Sequence, residues 1–232
     1  METKKRKEDL FMAFLNGLFG KKNPPAQATP TYTPPVSTGD INLDLSKGIS
    51  LNLTKGMSLD LSKAPSTLQD IRVAAGWDVA ARGTDYDLDL CAILLDHNNR
   101  HLDTVYYGKK RSSGIELDHD NLTGEGDGDD ENIFMNFTKI SPNVAKVVIC
   151  VVIYEANSRG QRFANVRNAY VRLVDQAKRP EYEICRFNLS EDGGNATAVK
   201  FAELTRTQSG WDFKAIGEYM RASISDIARQ YR

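Results

Sequence analysis

The chain has 232 residues, of which 41% are hydrophobic and 26% charged, with 30 basic against 31 acidic side chains. This composition is that of a soluble globular protein, and the length allows one domain of ordinary size with extensions. A formal net charge of −1 argues against a nucleic-acid-binding protein, which needs a dominant basic surface, and no apolar run approaches the roughly 18 residues of a membrane span.

Residues 1–22 predict an amphipathic helix. Six apolar side chains recur at helical spacing and form one stripe: Leu10, Phe11, Phe14, Leu15, Leu18 and Phe19. Basic residues flank this stripe on both sides, as KKRK at 4–7 and KK at 21–22. Two interpretations stay open, a helix that packs on protein or one that lies on an anionic membrane. The membrane-contact residues would then be Phe11, Phe14, Leu15 and Leu18.

Residues 23–40 predict an extended linker, because 23–38 hold five prolines and no charged side chain. An eight-residue repeat follows over 41–64, with the copies INLDLSKG, ISLNLTKG and MSLDLSKA. Each copy alternates apolar and polar residues and then usually closes with glycine, which is typical of a short strand and a turn. We expect one or two copies to be edge strands of the domain that follows, and the first to be a duplicated extension.

From residue 65 onward the sequence predicts a mainly β fold, a β-sandwich with a C-terminal helix. Clusters of Gly, Asn, Asp and Pro separate eight strand candidates: Asp70–Trp77, Leu88–Asp96, Thr104–Tyr107, Asn132–Phe137, Val144–Glu155, Ala169–Asp175, Glu181–Asn188 and Val199–Arg206. The continuous apolar run VVICVVIY predicts a central strand buried on both faces. The last stretch, Phe213–Tyr231, predicts a helix packed on the sandwich. Its apolar residues stand at helical spacing: Ile216, Tyr219, Met220, Ile224 and Ile227.

Three cysteines, Cys91, Cys150 and Cys185, each stand inside an apolar run. Their number is odd, and no pair has the CxxC spacing of a metal site. We therefore expect buried, reduced thiols in a reducing compartment, the cytoplasm, rather than disulfides.

The stretch 116–131, ELDHDNLTGEGDGDDE, carries eight carboxylates and no Lys or Arg. So many like charges repel one another unless water and salt screen them or a cation neutralises them. Carboxylate, amide and carbonyl oxygens are the ligands that Ca²⁺ prefers, whereas Zn²⁺ would require Cys or His. The EF-hand pattern fails, because Glu125 takes the required glycine position when Asp120 is position one. The alternative is a solvated loop without a metal.

A second acidic group, Asp85, Asp87 and Asp89, alternates along the start of a strand candidate. Its carboxylates share one face if the strand has already begun. Asp78 directly follows the preceding strand candidate, Asp70–Trp77. Because a sandwich gathers loops at its ends, we expect this group to meet the 116–131 loop there, where a cation would relieve the repulsion. The alternative is a polar strand edge.

The segment RGQRFANVRNAYVR contains four arginines: Arg159, Arg162, Arg167 and Arg172. One interpretation is a surface loop that enters a strand. The other is a charge partner for the acidic loops or an interaction surface.

Several motifs resemble those of the TerD family of tellurium-resistance and calcium-binding stress proteins: ISLNLTKG at 49–56, GWD at 76–78, DYDLDL at 85–90, DNLTGEGDGDDE at 120–131 and RGQRFANVRNAYVRLVD at 159–175. The resemblance implies a TerD-like β-sandwich domain over 49–232 that binds Ca²⁺ without established catalysis. It also implies an association with membrane-linked Ter complexes. The residues that match the acidic motifs of the family, and that are implied as metal ligands, are Asp78, Asp87, Asp89, Asp120, Asn121, Gly124, Glu125, Asp129 and Glu131.

The sequence thus predicts a non-enzymatic Ca²⁺-binding protein of tellurite resistance and the stress response, acting as a sensor or scaffold. The expected partners are calcium, other Ter-type proteins and, peripherally, the inner face of a membrane contacted through residues 1–20; nucleic acid is not expected. A membrane-recruited adaptor is the alternative function. A metal-dependent hydrolase is less favoured, because there is no nucleophile motif and only His119 stands near the acids.

Overall fold

The computed structural model describes residues 40–41, 51–52, 58–61, 69–78, 85–125, 128–177, 180–189 and 193–232. Within these ranges the chain forms fourteen strands, numbered in chain order, in two seven-stranded sheets. Sheet I has the order β1 (Asp40–Ile41), β3 (Ser58–Asp60), β14 (Trp211–Met220), β13 (Ala198–Arg206), β10 (Lys146–Ile153), β5 (Leu88–Leu95) and β6 (His101–Val105). Sheet II has the order β2 (Leu51–Asn52), β12 (Tyr182–Asn188), β11 (Tyr170–Asp175), β4 (Asp70–Gly76), β9 (Glu131–Asn136), β8 (Ile115–Leu117) and β7 (Arg111–Ser112).

The predicted β-sandwich is confirmed. One apolar cluster joins the facing sides of the two sheets, with Val73 from sheet II and Leu90, Ile149 and Phe213 from sheet I fully buried. The pairing is antiparallel except at the edges, where β1 and β2 run parallel to their neighbours. The described helical elements are short: α1 (Ala156–Arg159), a 3₁₀ turn (Phe163–Asn165) and α2 (Ile224–Arg229).

Strand β10 is central and buried on both faces, as predicted. It lies between β13 and β5, and each face of the strand meets a different apolar cluster. Val147, Ile149 and Val151 face the core between the sheets. Val148 and Cys150 face outward, beneath α2. A strand that alternates between two apolar environments has no polar face, which explains its continuous apolar sequence.

The predicted C-terminal helix exists, but the prediction of a helix over Phe213–Tyr231 is wrong for its first half. Residues Trp211–Met220 form β14, and α2 begins only at Ile224. β14 pairs with both β13 and β3, and its alternate side chains Trp211, Phe213 and Ala215 are buried in the core between the sheets. The apolar spacing of this stretch fits both periods, and the neighbouring strands decide between them.

The octapeptide repeat supplies strands to both sheets. β1 and β3, from the first and third copies, pair with each other in sheet I, and β2, from the second copy, pairs with β12 in sheet II. All three copies therefore contribute strand residues, where one or two were expected.

The amphipathic helix of 1–22, with Phe11, Phe14, Leu15 and Leu18, lies outside the described residues and stays a prediction. The linker of 23–40 also lies outside them, apart from Asp40. No helix within the described ranges is long and apolar enough to cross a bilayer.

Helix α2 covers the outer face of sheet I. Its one buried residue, Ile227, packs in the outer-face cluster with Ile93 and Val148. Ser223 and Asp226 form a capping box at the start of the helix. The Ser223 hydroxyl accepts from the Asp226 backbone N–H at 3.2 Å, and the Asp226 carboxylate accepts from the Ser223 N–H at 2.9 Å. This box holds the first turn of a helix of only six residues.

Substitution of Ser223 by Ala should loosen α2. The change removes one half of the capping box, and such a loss costs about 1 kcal/mol. We expect faster amide exchange over 224–231 than in the wild type, measured by hydrogen–deuterium exchange. Ser223→Asp keeps a capping oxygen and is the control. Equal protection in Ser223→Ala and the wild type would contradict the role of the cap.

Candidate metal centre

Three of the predicted ligands meet at one end of the sandwich. Asp87 precedes β5, Asp89 is the second residue of β5, and Asp120 lies in the loop between β8 and β9. One carboxylate oxygen of each lies within 4.8 Å of the others. The alternation of Asp87 and Asp89 along the chain gives them the same face, and the β8–β9 loop brings Asp120 to it. We call these three residues the carboxylate cluster.

Two of the three members of the carboxylate cluster are buried. Asp87 is 7% exposed and Asp89 3%, while Asp120 is partly buried. One oxygen of Asp87 and one of Asp120, both Oδ1, are buried without a hydrogen-bond partner among the described residues. A buried polar atom with no partner is costly, and the cost is greatest for a charged group. Within the described ranges, therefore, no hydrogen bond offsets the cost of burying these two oxygens.

The pKa values also indicate that negative charge is unfavourable in the carboxylate cluster. Burial, with added repulsion from Asp87 and Asp120, raises the pKa of Asp89 to about 8. Burial and Asp120 raise the pKa of Asp87 to about 6, against an opposing effect of Arg159. The environment thus disfavours three negative charges, and a bound cation would reverse that balance.

Glu131 lies next to this cluster but is already held by the backbone. Its side chain is fully buried at the start of β9. Its Oε2 accepts from the Leu90 N–H at 2.7 Å, and its Oε1 from the Asn121 N–H at 3.3 Å. Burial raises its pKa to about 9, although the Leu90 hydrogen bond acts in the opposite direction. Glu131 therefore ties sheet II, the acidic loop and the strand that carries Asp89 together.

Asn121 and Gly124 shape the loop. The Asn121 side-chain oxygen accepts from the Thr123 and Gly124 N–H groups at 3.1 and 3.0 Å, which closes a tight turn. Gly124 has a φ of +74°, and a Cβ there would stand 2.5 Å from the Trp77 indole nitrogen. Only glycine fits this approach. The Glu125 side chain is exposed, and its carbonyl accepts from the Asn121 amide at 3.4 Å.

Asp129 is directed away from the cluster, toward two arginines of sheet II. Its carboxylate lies 2.5 Å from Arg72 Nη1 and 2.6 Å from Arg172 Nη2, and it also accepts from the Tyr170 hydroxyl at 3.0 Å. Burial opposes its charge, but the hydrogen bonds from Arg172 and Arg72 outweigh that effect and lower the pKa. Of the two interpretations of the arginine segment, Arg172 fits the charge-partner one.

The side chain of the next residue, Asp130, contacts a different set of partners. Its Oδ2 accepts from the Trp77 N–H at 2.8 Å and its Oδ1 from the Asn121 amide at 3.0 Å. Neither Asp130 nor Arg72 was among the predicted site residues, because nothing local in the sequence distinguishes them from their neighbours. Three consecutive acids, Asp129 to Glu131, thus fix the loop to three different parts of the sandwich.

Asp78 and His119 also lie apart from the cluster. Asp78 is exposed and accepts from the Asn168 amide at 2.6 Å. His119 is exposed, and its Nδ1 lies 3.1 Å from the carboxylate of its neighbour Asp118. Residues 126–127 of the loop lie outside the described ranges. The structure therefore brings together Asp87, Asp89 and Asp120, with Glu131 beside them.

Comparison with known proteins gives the family. The TerD domain model matches residues 49–231. The chain is 36% identical to the tellurium resistance protein TerD of Serratia marcescens over 174 residues, which are 72% of this chain and 89% of the relative. It is 34% identical over 171 residues to general stress protein 16U of Bacillus subtilis, covering 71% and 88% of the two chains.

A solved structure agrees with this assignment. The crystal structure of a homologue of telluride resistance protein (TerD) from Streptomyces coelicolor superposes with a TM-score of 0.61 at 25% identity. The match covers 69% of this chain and 95% of that one. The relatives carry names of resistance and stress proteins rather than of enzymes. The chain therefore belongs to the TerD family.

Proposed function

We propose that this chain is a non-enzymatic Ca²⁺-binding protein that acts in tellurite resistance and the stress response as a sensor or scaffold. The observation that carries the proposal is the carboxylate cluster. Asp87, Asp89 and Asp120 converge there, and two of their buried oxygens have no partner among the described residues. A divalent cation would partner these oxygens and offset the repulsion between the three acids.

The donor set favours calcium over other common cations. The converging atoms are carboxylate oxygens, which are hard ligands. Zn²⁺ favours His and Cys, and no such side chain belongs to the cluster as the structure describes it. Mg²⁺ is usually held by one or two carboxylates and several waters, which fits three converging acids less well. The remaining ligands of Ca²⁺ would be waters or backbone carbonyls.

The surroundings of the cluster support a sensing role. Glu131, Asp130 and Asp129 are each held by hydrogen bonds within the protein. Among the described residues, the side chains of the carboxylate cluster have no comparable hydrogen bonds, and a bound cation would hold them in place. Calcium would then lock the β8–β9 loop to the start of β5. The role in tellurite resistance and stress follows the names of the relatives, and the buried free cysteines fit the cytoplasm.

Isothermal titration of the chelator-treated full chain with Ca²⁺ tests this proposal. We expect saturable binding by the wild type, and its loss in Asp89→Asn and Asp120→Asn, which keep the side-chain shape but remove the charge. Asp118→Asn is the matched control, because Asp118 is exposed in the same acidic stretch outside the cluster. Absence of binding by the wild type, or an equal loss in Asp118→Asn, would overturn the proposal.

A further inference from the structure

Two cysteines stand directly opposite each other in sheet I. Cys91 of β5 and Cys150 of β10 are register partners in an antiparallel pair, and both are free and fully buried. Both side chains belong to the outer-face cluster, so the two thiols lie on the same face of the sheet. Opposed residues of such a pair have Cα atoms about 4.5–5.5 Å apart, so one atom can bridge both sulfurs without strand movement. The pair is therefore a preformed dithiol.

The dithiol lies on the outer face of sheet I, under the C-terminal helix. It shares an apolar cluster with Val148 and with Ile227 of α2. Ile227 is the only buried residue of this six-residue helix. A helix of that length is marginal without its packing, so few contacts oppose its local opening. Displacement of α2 would therefore uncover the thiols while both sheets stay intact.

A cavity of about 720 Å³ opens on the same face. It is lined by Ile224 and Ala228 of α2, and by Tyr106 and Val152 from the sheet side. All four residues also belong to, or pack against, the cluster that contains the two thiols. The cavity and the dithiol thus share a wall that includes α2. A small molecule in the cavity would be next to the thiols once the helix moves.

We propose that Cys91 and Cys150 form a binding site for a thiophilic metalloid oxyacid, reached by displacement of α2. With tellurous acid as the ligand, both S–H bonds and two Te–OH bonds break. Two S–Te bonds form and two water molecules leave, so the oxidation state of tellurium is unchanged and no oxidant is needed. The choice of tellurium rests on the proposed role in tellurite resistance. The dithiol itself does not depend on the calcium site.

Cys185 provides an internal control. It is as deeply buried as the other two, but it belongs to the core between the sheets. A reagent could reach Cys185 only if the two sheets separated. Displacement of α2 would not expose it. Buried thiols of this kind are inert in a folded protein. A reagent that enters through local movement of α2 should therefore distinguish Cys185 from the pair.

The test uses the reduced full chain and phenylarsine oxide, which condenses with two thiols and releases one water. Intact-mass spectrometry should show one bound arsenical on the wild type and on Cys185→Ala, and none on Cys91→Ala or Cys150→Ala. Ile227→Ala should speed the reaction about tenfold or more, because its loss favours the open helix. Prior incubation with excess tellurite should block the labelling.

Each variant is checked for a native circular dichroism spectrum, and Cys→Val replaces Cys→Ala where the latter unfolds the chain. Labelling that persists without Cys91 or that disappears without Cys185 would overturn the site. No labelling of either the wild type or Ile227→Ala would also overturn it. Failure of tellurite to protect a labelled dithiol would overturn tellurium as the ligand. Calcium titration of Cys91→Ala is a separate readout, so failure of either site is recognised independently.

Discussion

Calcium should raise the melting temperature of the full chain, and the effect should disappear in Asp89→Asn. A ligand that binds only the folded state stabilises it by RT ln(1 + [L]/Kd), about 2.7 kcal/mol at one hundred times the Kd. The folded chain gathers Asp87, Asp89 and Asp120 from two separate segments, and the unfolded chain disperses them. The measurement is a thermal melt in excess chelator and again in excess Ca²⁺.

The variants make this result specific. Asp89→Asn and Asp120→Asn should melt at the same temperature with and without calcium. Asp118→Asn should respond as the wild type does, because Asp118 is exposed and lies outside the cluster. Equal melting temperatures of the wild type in chelator and in Ca²⁺ would contradict the proposed site. A full calcium response in Asp89→Asn would place the ion elsewhere.

Asp129→Ala should destabilise the chain by about 3 kcal/mol, even without calcium. Removal of one partner of a buried ion pair costs about 3–5 kcal/mol, because the other charge remains buried. The Arg72 side chain is 8% exposed, and that of Asp129 is 6% exposed. We expect the low end of the range, because Arg72 keeps Glu181 and Arg172 keeps Glu183. Urea unfolding in chelator measures the loss.

An exposed ion pair gives the comparison for this result. Arg111 and Glu116 form a salt bridge with side chains that are 76% and 45% exposed. Glu116→Ala should therefore cost less than about 1 kcal/mol. If Asp129→Ala leaves the stability in chelator unchanged but abolishes calcium binding, Asp129 is a metal ligand and not an ion-pair anchor.

The acidic segments could be identified from the sequence as candidate metal-binding segments, because their carboxylates are close together along the chain. Alternation was enough to put Asp87 and Asp89 on one face. The directions of Asp129, Asp130 and Glu131 could not be read in this way, because the loop meets β9 at this point and consecutive side chains diverge. Arg72 lies 57 positions from Asp129, and only the pairing of sheet II brings the two together.

Some strands could likewise be predicted from the sequence, and others could not. β10 could be predicted because both of its faces are apolar, whereas β14 could not be separated from a helix by its spacing. Its identity follows from contacts with β13 and β3, which are distant in sequence. The short hairpin of β7 and β8 was also missed, since strands of two and three residues carry too little periodicity to detect.

A crystal structure of the full chain with Ca²⁺, with the ion located by its anomalous signal, tests the central claim most directly. We expect an ion with carboxylate oxygens of Asp87, Asp89 and Asp120 at about 2.3–2.6 Å. An ion bound instead at Asp78 or Asp129, or no ion at the carboxylate cluster in saturating calcium, would contradict the claim.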